Sequence, residues 1–215
     1  MERSTTPLTG IKPGGHQLRG EVVVQHQRRR ILDATVELVA ESGYRALTVG
    51  AIIKRAGVAK LKFYELFSSK ADAFLAALDE AIDGVGERVS AACEAAGDSL
   101  PERLDAGLGA ALGFCAERPE LTRAVVLEAP ALGPEAAGRG EAAVAAFAPL
   151  FEGKIGPRRT RRPPPGWEEG VLDGLYWLLY EAVLSGRPKR LGKLRPAMVE
   201  FALLPLLGPG ATASA

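Results

Sequence analysis

Between residues 25 and 70 the sequence is cut at two glycines and a capping threonine, and each piece between the cuts reads as helix. From Gln25 to Ser42, Ile31, Thr35, Leu38 and Ser42 make one side, and Leu32, Val36 and Val39 broaden the apolar stripe. Gly43 follows as a stop, because a left-handed backbone is cheapest for glycine. Thr48 is a good N-cap for a short helix Val49–Ala56, its hydroxyl accepting from a free backbone N–H, and Gly57 ends that helix. A third short helix runs from about Ala59 to Leu66, with Phe63 and Phe67 turned inward. Short helices this closely spaced, with tight glycine-marked turns, predict a helix-turn-helix unit.

Helical periods continue beyond it. Phe74, Leu78, Ile82, Val85 and Val89 recur at four- and three-residue steps, which predicts a long amphipathic helix from Lys70 to about Ala96. Ser99-Leu-Pro-Glu102 reads as a capping box with Pro in the first turn, opening a helix to about Glu117. Pro119 opens another to Glu128, and Pro134 one to Phe151. Residues 153–166, rich in Arg and Pro, read as a solvated basic loop. Trp167 to Ser185 is apolar on nearly all sides, and a last helix spans about Leu191 to Leu204. No strand alternation and no fixed repeat is present. The expected fold is all-α: a flexible basic arm over 1–24, a three-helix helix-turn-helix domain over 25–70, and a larger helical bundle over 71–215.

Charge separates the same regions. Residues 1–70 carry twelve Lys/Arg against six Asp/Glu, and residues 71–215 carry fifteen against twenty. A basic front on an acidic back points to a polyanionic partner for the front. The two cysteines, Cys93 and Cys115, lack metal-ligand spacing and read as buried free thiols. The N-terminus lacks the apolar core of a signal peptide. The longest apolar stretches, near Leu175–Leu184 and Phe201–Leu207, are broken by Glu181 and Pro205 and are too short to span a bilayer. The expectation is a cytoplasmic protein with no membrane contact, no metal and no cofactor.

The stretch Thr48 to Phe74 resembles the core of the TetR family of transcriptional regulators. Its pieces here are Thr48, Ile52, Ala56-Gly57-Val58, Phe63-Tyr64, Phe67 and Ser69-Lys70, with Arg28 to Tyr44 matching the family's first helix. One position departs from the pattern: Ala59 stands where the family usually has Ser or Thr. This removes a side-chain cap from the recognition helix, at about 1 kcal/mol. The resemblance implies a DNA-binding regulator, in the family's default a repressor, released from a palindromic operator by a small, apolar effector.

Its implied DNA contacts fall on named residues. The recognition helix offers Ala59, Lys60, Leu61 and Lys62 to base edges in the major groove, where Lys can donate to guanine and a small apolar side chain can pack on a thymine methyl. Thr48, Tyr64 and Lys70 are expected at phosphates, which position the protein without reading sequence. Arg28, Arg29 and Arg30 oppose the dipole at the start of a first helix beginning near Gln25, which favours a phosphate partner. In the large domain the resemblance implies an effector pocket among the middle helices. Phe114, Leu127, Phe147, Tyr176 and Trp177 are candidate walls and Glu128 a candidate polar anchor. The last two helices are expected to form a homodimer interface through Leu172, Leu175, Leu179, Leu194, Met198 and Phe201.

Two other classes compete. An all-α enzyme is disfavoured because both histidines, His16 and His26, lie in or beside the arm, and no Gly-rich loop follows a strand. A helical protein-interaction module without DNA binding is disfavoured by Lys60, Lys62 and Lys70 on the front domain.

Overall fold

The structure, a computed structural model, describes residues 14–154, 165–186 and 188–207. Helix α1 spans Gly14–Ser42, α2 Val49–Ala56, α3 Lys60–Leu66 and α4 Lys70–Ala95. Then follow α5 (Leu100–Glu117), α6 (Pro119–Arg123), α7 (Pro134–Phe147), α8 (Trp167–Leu184) and α9 (Arg195–Leu207). Single 3-10 and π turns connect several of them. Among the described residues the one strand-like pairing is an isolated bridge, Ser99 to Lys154, and no helix is long and apolar enough to cross a membrane.

The short helices are fixed by local chemistry. The Thr48 hydroxyl accepts from the Ala51 N–H at 3.1 Å and starts α2. Gly57 ends it in the left-handed region, at φ 61°; a Cβ there would also sit 2.6 Å from the Arg30 guanidinium. Ser69 caps α4 by accepting from Asp72 N–H, while the Asp72 carboxylate accepts from Ser68 N–H at 2.7 Å. Ala59 occupies the N-cap of α3 without a side-chain bond, as its methyl requires.

Two cores result. The first joins Ile31, Leu32, Val39, Ile52, Phe63 and Phe67 to Ala73, Phe74 and Ala77 of α4, and it also takes in Ala124 and Leu132. The second is aliphatic, with Val89, Leu104, Leu150, Val171, Leu191 and Leu206 among its buried members, and is shared by α4, α5, α8 and α9. Arg103 is buried at the end of α4, its guanidinium donating to the carbonyls of Pro149, Cys93 and Gly97. That satisfies a charge that would otherwise be costly to desolvate.

Three expectations are corrected. The segment 14–24, read as part of a flexible arm, belongs to α1: no proline interrupts it, and each residue added to an existing helix gains a hydrogen bond without a new nucleus. Residues 1–13, and the Arg-rich part of the basic loop, 155–164, lie outside the described residues. The Ser99 capping box does not form. Leu100 N–H instead donates to Lys154 O at 3.0 Å, and Lys154 N–H to Asp98 O at 2.6 Å. The helix expected from Pro119 to Glu128 is α only to Arg123, then widens into a π turn over Ala124–Glu128 and tightens into a 3-10 turn over Ala129–Leu132. Pro130 has no N–H to continue the α ladder, and its ring crowds the preceding turn.

Candidate nucleic-acid interface and ligand cavity

Helix α3 buries Phe63 completely and turns its opposite face outward. Lys60 and Leu61 stand one helical turn before Tyr64, so the three share a face. Leu61 is 72% exposed and Tyr64 50%; Lys60 and Ala59 are exposed as well. Tyr64 keeps its ring edge against Phe63, with centroids 5.4 Å apart, so its phenol is aimed from a rigid base. Lys62 is turned along the helix into an ion pair with Glu65. Thr48 is exposed beside this face, its oxygen lone pair used for the cap and its O–H still able to donate.

The other expected DNA contacts have partners inside the chain. Arg28 pairs with Glu80 and lies over the Phe67 ring. Arg29 bonds Asp33 at 2.9 Å, one turn along α1. Arg30 donates to the Gly57 carbonyl at 3.2 Å, tying α1 to the turn before α3. Lys70 donates to Leu47 O at 2.8 Å and Tyr44 O at 3.3 Å, with its ammonium over the Tyr44 ring. These bonds tie it to the α1–α2 connection. The helix-dipole argument for the arginines also lapses, because α1 begins fourteen residues before Arg28.

In the second domain a cavity of about 500 Å³ opens between α4, α5, α7 and α8, with an almost entirely apolar wall. Of the candidate lining residues, Phe114, Phe147 and Tyr176 border it; Leu127, Glu128 and Trp177 do not. Leu127 packs against the aliphatic core. The Glu128 carboxylate points the other way and accepts from the Tyr44 N–H at 3.0 Å, joining the large domain to the end of α1. Arg123 donates to Ala40 O at 3.2 Å in the same joint. The polar groups on the wall are largely satisfied: Tyr176 donates to Val126 O at 2.8 Å and Thr122 to Cys115 O at 2.9 Å. Burial pushes the Tyr176 phenol and the Cys115 thiol above their ordinary pKa values, so both stand protonated at neutral pH. Leu108, Ala111 and Leu112 of α5 and Ile82 and Val85 of α4 supply wall that sequence reasoning missed; as plain amphipathic stripes they look like any other core.

The residues expected at a dimer interface sort differently. Leu172, Leu175, Leu179 and Met198 face the cavity, and Leu194 packs on the core. Only Phe201 of the six is exposed, at 37%. The outer apolar face of α8 and α9 consists of Trp177, 58% exposed, with Leu184, Phe201 and Leu204. Trp177 stacks flat on Tyr180, centroids 5.3 Å apart, and is held on the surface in that pose. Phe201 fits over Gly174, where a Cβ would come within 2.4 Å of its ring.

A capped short helix, a glycine turn and an exposed second helix on a small core, joined to a helical bundle with an apolar cavity, define a helix-turn-helix protein with a helical C-terminal domain. The sequence profile of bacterial regulatory proteins of the tetR family matches residues 31–77, the segment that builds the first core. Over that segment the chain is similar to the TetR family. It is 34% identical over 104 residues to the HTH-type transcriptional activator FasR of Mycolicibacterium smegmatis, covering 48% of this chain and 47% of FasR. It is 30% identical over 106 residues to the HTH-type transcriptional repressor KstR of the same organism, covering 49% and 52%. The matched region thus spans about half the length of these curated relatives. In fold the chain is similar to the transcriptional regulator FadR of Bacillus subtilis, solved in complex with stearoyl-CoA: TM-score 0.66 at 21% identity, covering 84% of this chain and 98% of that one.

Proposed function

We propose that the chain is a sequence-specific DNA-binding transcriptional regulator that works as a two-fold dimer and answers to a small apolar effector. The observation that carries the reading is the outward face of α3, where Lys60, Leu61 and Tyr64 stand exposed on a fully buried Phe63. In the major groove Lys60 donates to a guanine edge and Leu61 packs on a thymine methyl. Thr48 and Tyr64 hold phosphates on either side. Ala59 at the N-cap leaves room for the backbone to approach. The outer face of Trp177, Leu184, Phe201 and Leu204 is the dimer seam. Two recognition helices related by it require an inverted repeat with half-sites one turn apart, roughly 34–36 Å. The cavity takes the effector, and its apolar wall favours an aliphatic body like the one named in the FadR complex. Effector binding releases the operator, so the regulator represses; the named relatives include both an activator and a repressor, which makes the sign a point to measure.

Fluorescence anisotropy on operator duplexes tests the reading. Affinity falls steeply with salt, since each phosphate contact releases counterions. Lys60→Ala relaxes preference at one or two positions per half-site by about 1–3 kcal/mol, whereas Thr48→Ala weakens all sequences alike. A flat salt dependence sinks the DNA-binding reading, and transcription in vitro with and without added effector fixes the sign.

A further inference from the structure

The mouth of the cavity and the outer face of α8 are parts of one surface. The apolar lips of the mouth are Val144 of α7, 39% exposed, and Tyr176 of α8, 45% exposed. Trp177 follows Tyr176 directly and belongs to the outer face with Leu184, Phe201 and Leu204. Tyr180 joins the two: its ring lies 6.4 Å from that of Tyr176 and stacks flat on that of Trp177 at 5.3 Å. Both distances fall in the range where aromatic rings attract. The Tyr176 ring is also held from within, by the bond from its hydroxyl to Val126 O at 2.8 Å. One aromatic run thus leads from inside the cavity, across its lip, to the outer face. Asp173 borders the same mouth, exposed and one turn before Trp177. It ends the apolar run with a charge, as the polar rim of an interface does.

We propose that a second copy of this chain closes the cavity: pairing through Trp177 lays the partner across the α8 lip, so that filling the cavity and pairing strengthen each other. The inference rests on the dimer seam and the effector cavity of the proposed function, and adds that the site is incomplete in a single copy. The occupant is a second copy because a two-fold contact through Trp177 brings the same stretch of the partner to it. Each mouth then meets the apolar surface beside the other. An apolar molecule in an open cavity keeps part of its surface in water, and a partner over the lip removes that surface. Linkage works in both directions by the same factor: pairing tightens binding, and binding tightens pairing.

Two measurements on the full chain test it, with the neutral dodecan-1-ol as the apolar probe. Isothermal titration compares wild type with Leu204→Arg, which breaks the seam from α9 and leaves the aromatic run of α8 unchanged in sequence. The wild-type dimer is expected to bind the alcohol about tenfold tighter than the monomeric variant, within the usual range of coupling between sites. Fluorescence-detected sedimentation of labelled wild type, with and without saturating alcohol, needs no variant. Two sites that each contribute a factor of about ten tighten self-association about a hundredfold. Equal affinity in dimer and monomer, with self-association unmoved, overturns the closure while the seam and the cavity stand. Weak binding by Leu204→Arg with wild-type association unmoved reports a damaged variant and overturns the closure as well, because true linkage is reciprocal. If wild type is monomeric throughout, or both Leu204→Arg and Trp177→Arg remain dimeric, the seam falls and the closure with it. If wild type binds no alcohol, the cavity reading falls and the closure with it.

Discussion

The two cores of this chain are assembled on different principles. In the first, Phe63 packs on Phe67 and the Tyr44 ring stacks on Phe74 at 5.4 Å, and the helix starts are pinned by Thr48 and Ser69. In the second, leucines, valines and alanines of four helices meet around about 500 Å³ that no protein atom fills. A close-packed core resists deformation and transmits it, whereas an under-filled one has room to rearrange. Under the proposed function, the unit that would hold recognition residues is the aromatic one, and the unit that would admit a ligand is the one built around the cavity. Between them run both polar ties, Glu128 on Tyr44 N–H and Arg123 on Ala40 O, and apolar contacts, Ala124 and Leu132 on the first core.

The sharpest way to break this contrast is to remove atoms from the rigid core. Phe63 has no exposed surface, and its neighbours are fixed on every side. Phe63→Ala is therefore expected to cost about 3–5 kcal/mol, the transfer and cavity terms together. Urea unfolding of the full chain gives the number, and operator binding should disappear with it. A loss under about 1 kcal/mol would mean that the first core rearranges as freely as the second.

Assembly provides the next test, and it separates the inside of α8 from its outside. Leu175→Arg places a charge in the aliphatic core and should unfold the large domain, because Leu175 is only 4% exposed. Trp177→Arg, on the outer face, should leave the fold intact, give monomers in sedimentation, and weaken operator binding by the loss of the second half-site. If Trp177→Arg stays dimeric, the seam lies elsewhere.

The same helix shows where the sequence was legible and where it was not. The extents of α2 and α4 and the inward turn of Phe63 and Phe67 were readable because glycines, caps and apolar periodicity each point to one geometry. On α8 nearly every face is apolar, so periodicity does not say which side meets the cavity and which meets solvent: Leu175, expected at the dimer interface, borders the cavity, and Trp177, expected on the cavity wall, is exposed. For the three-arginine run the sequence shows charge but not its partners within the chain; Glu80, Asp33 and the Gly57 carbonyl supply those from other turns and helices.

Filling the cavity is the converse of emptying the first core. Ala111, 8% exposed, faces the space from α5. Overpacking a filled core usually costs about 1–3 kcal/mol, but Ala111→Leu has empty volume to enter. It is expected to change stability by less than about 1 kcal/mol, in either direction, while abolishing binding of dodecan-1-ol. A cost in the overpacking range, with alcohol binding intact, would mean that the cavity lies off the Ala111 methyl.

The smallest effect concerns two exposed ion ties, one in each domain. Arg55 of α2 bridges Glu37 and Glu41 of α1, at 2.9 and 2.8 Å, and Lys154 holds Asp98 at 2.8 Å near the start of α5. Hydrogen bonding to the cation, and its charge, hold Glu41 below the usual carboxylate range, and the same causes act on Asp98. A carboxylate whose folded pKa is depressed contributes stability at neutral pH, and that contribution is lost as pH falls through its folded value. Both groups are fully exposed to solvent, so water and salt screen most of the gain. Glu41→Gln and Asp98→Asn should each lower the urea midpoint slightly at pH 7 and low salt. The difference from wild type should vanish in acid below the folded pKa, and shrink at 1 M salt, where screening acts over about 3 Å. If rigidity extends to the surface of the first domain, Glu41→Gln is the larger of the two, because Arg55 clamps two carboxylates of one helix to the helix that precedes α3. Equal effects would confine the contrast between the domains to their interiors.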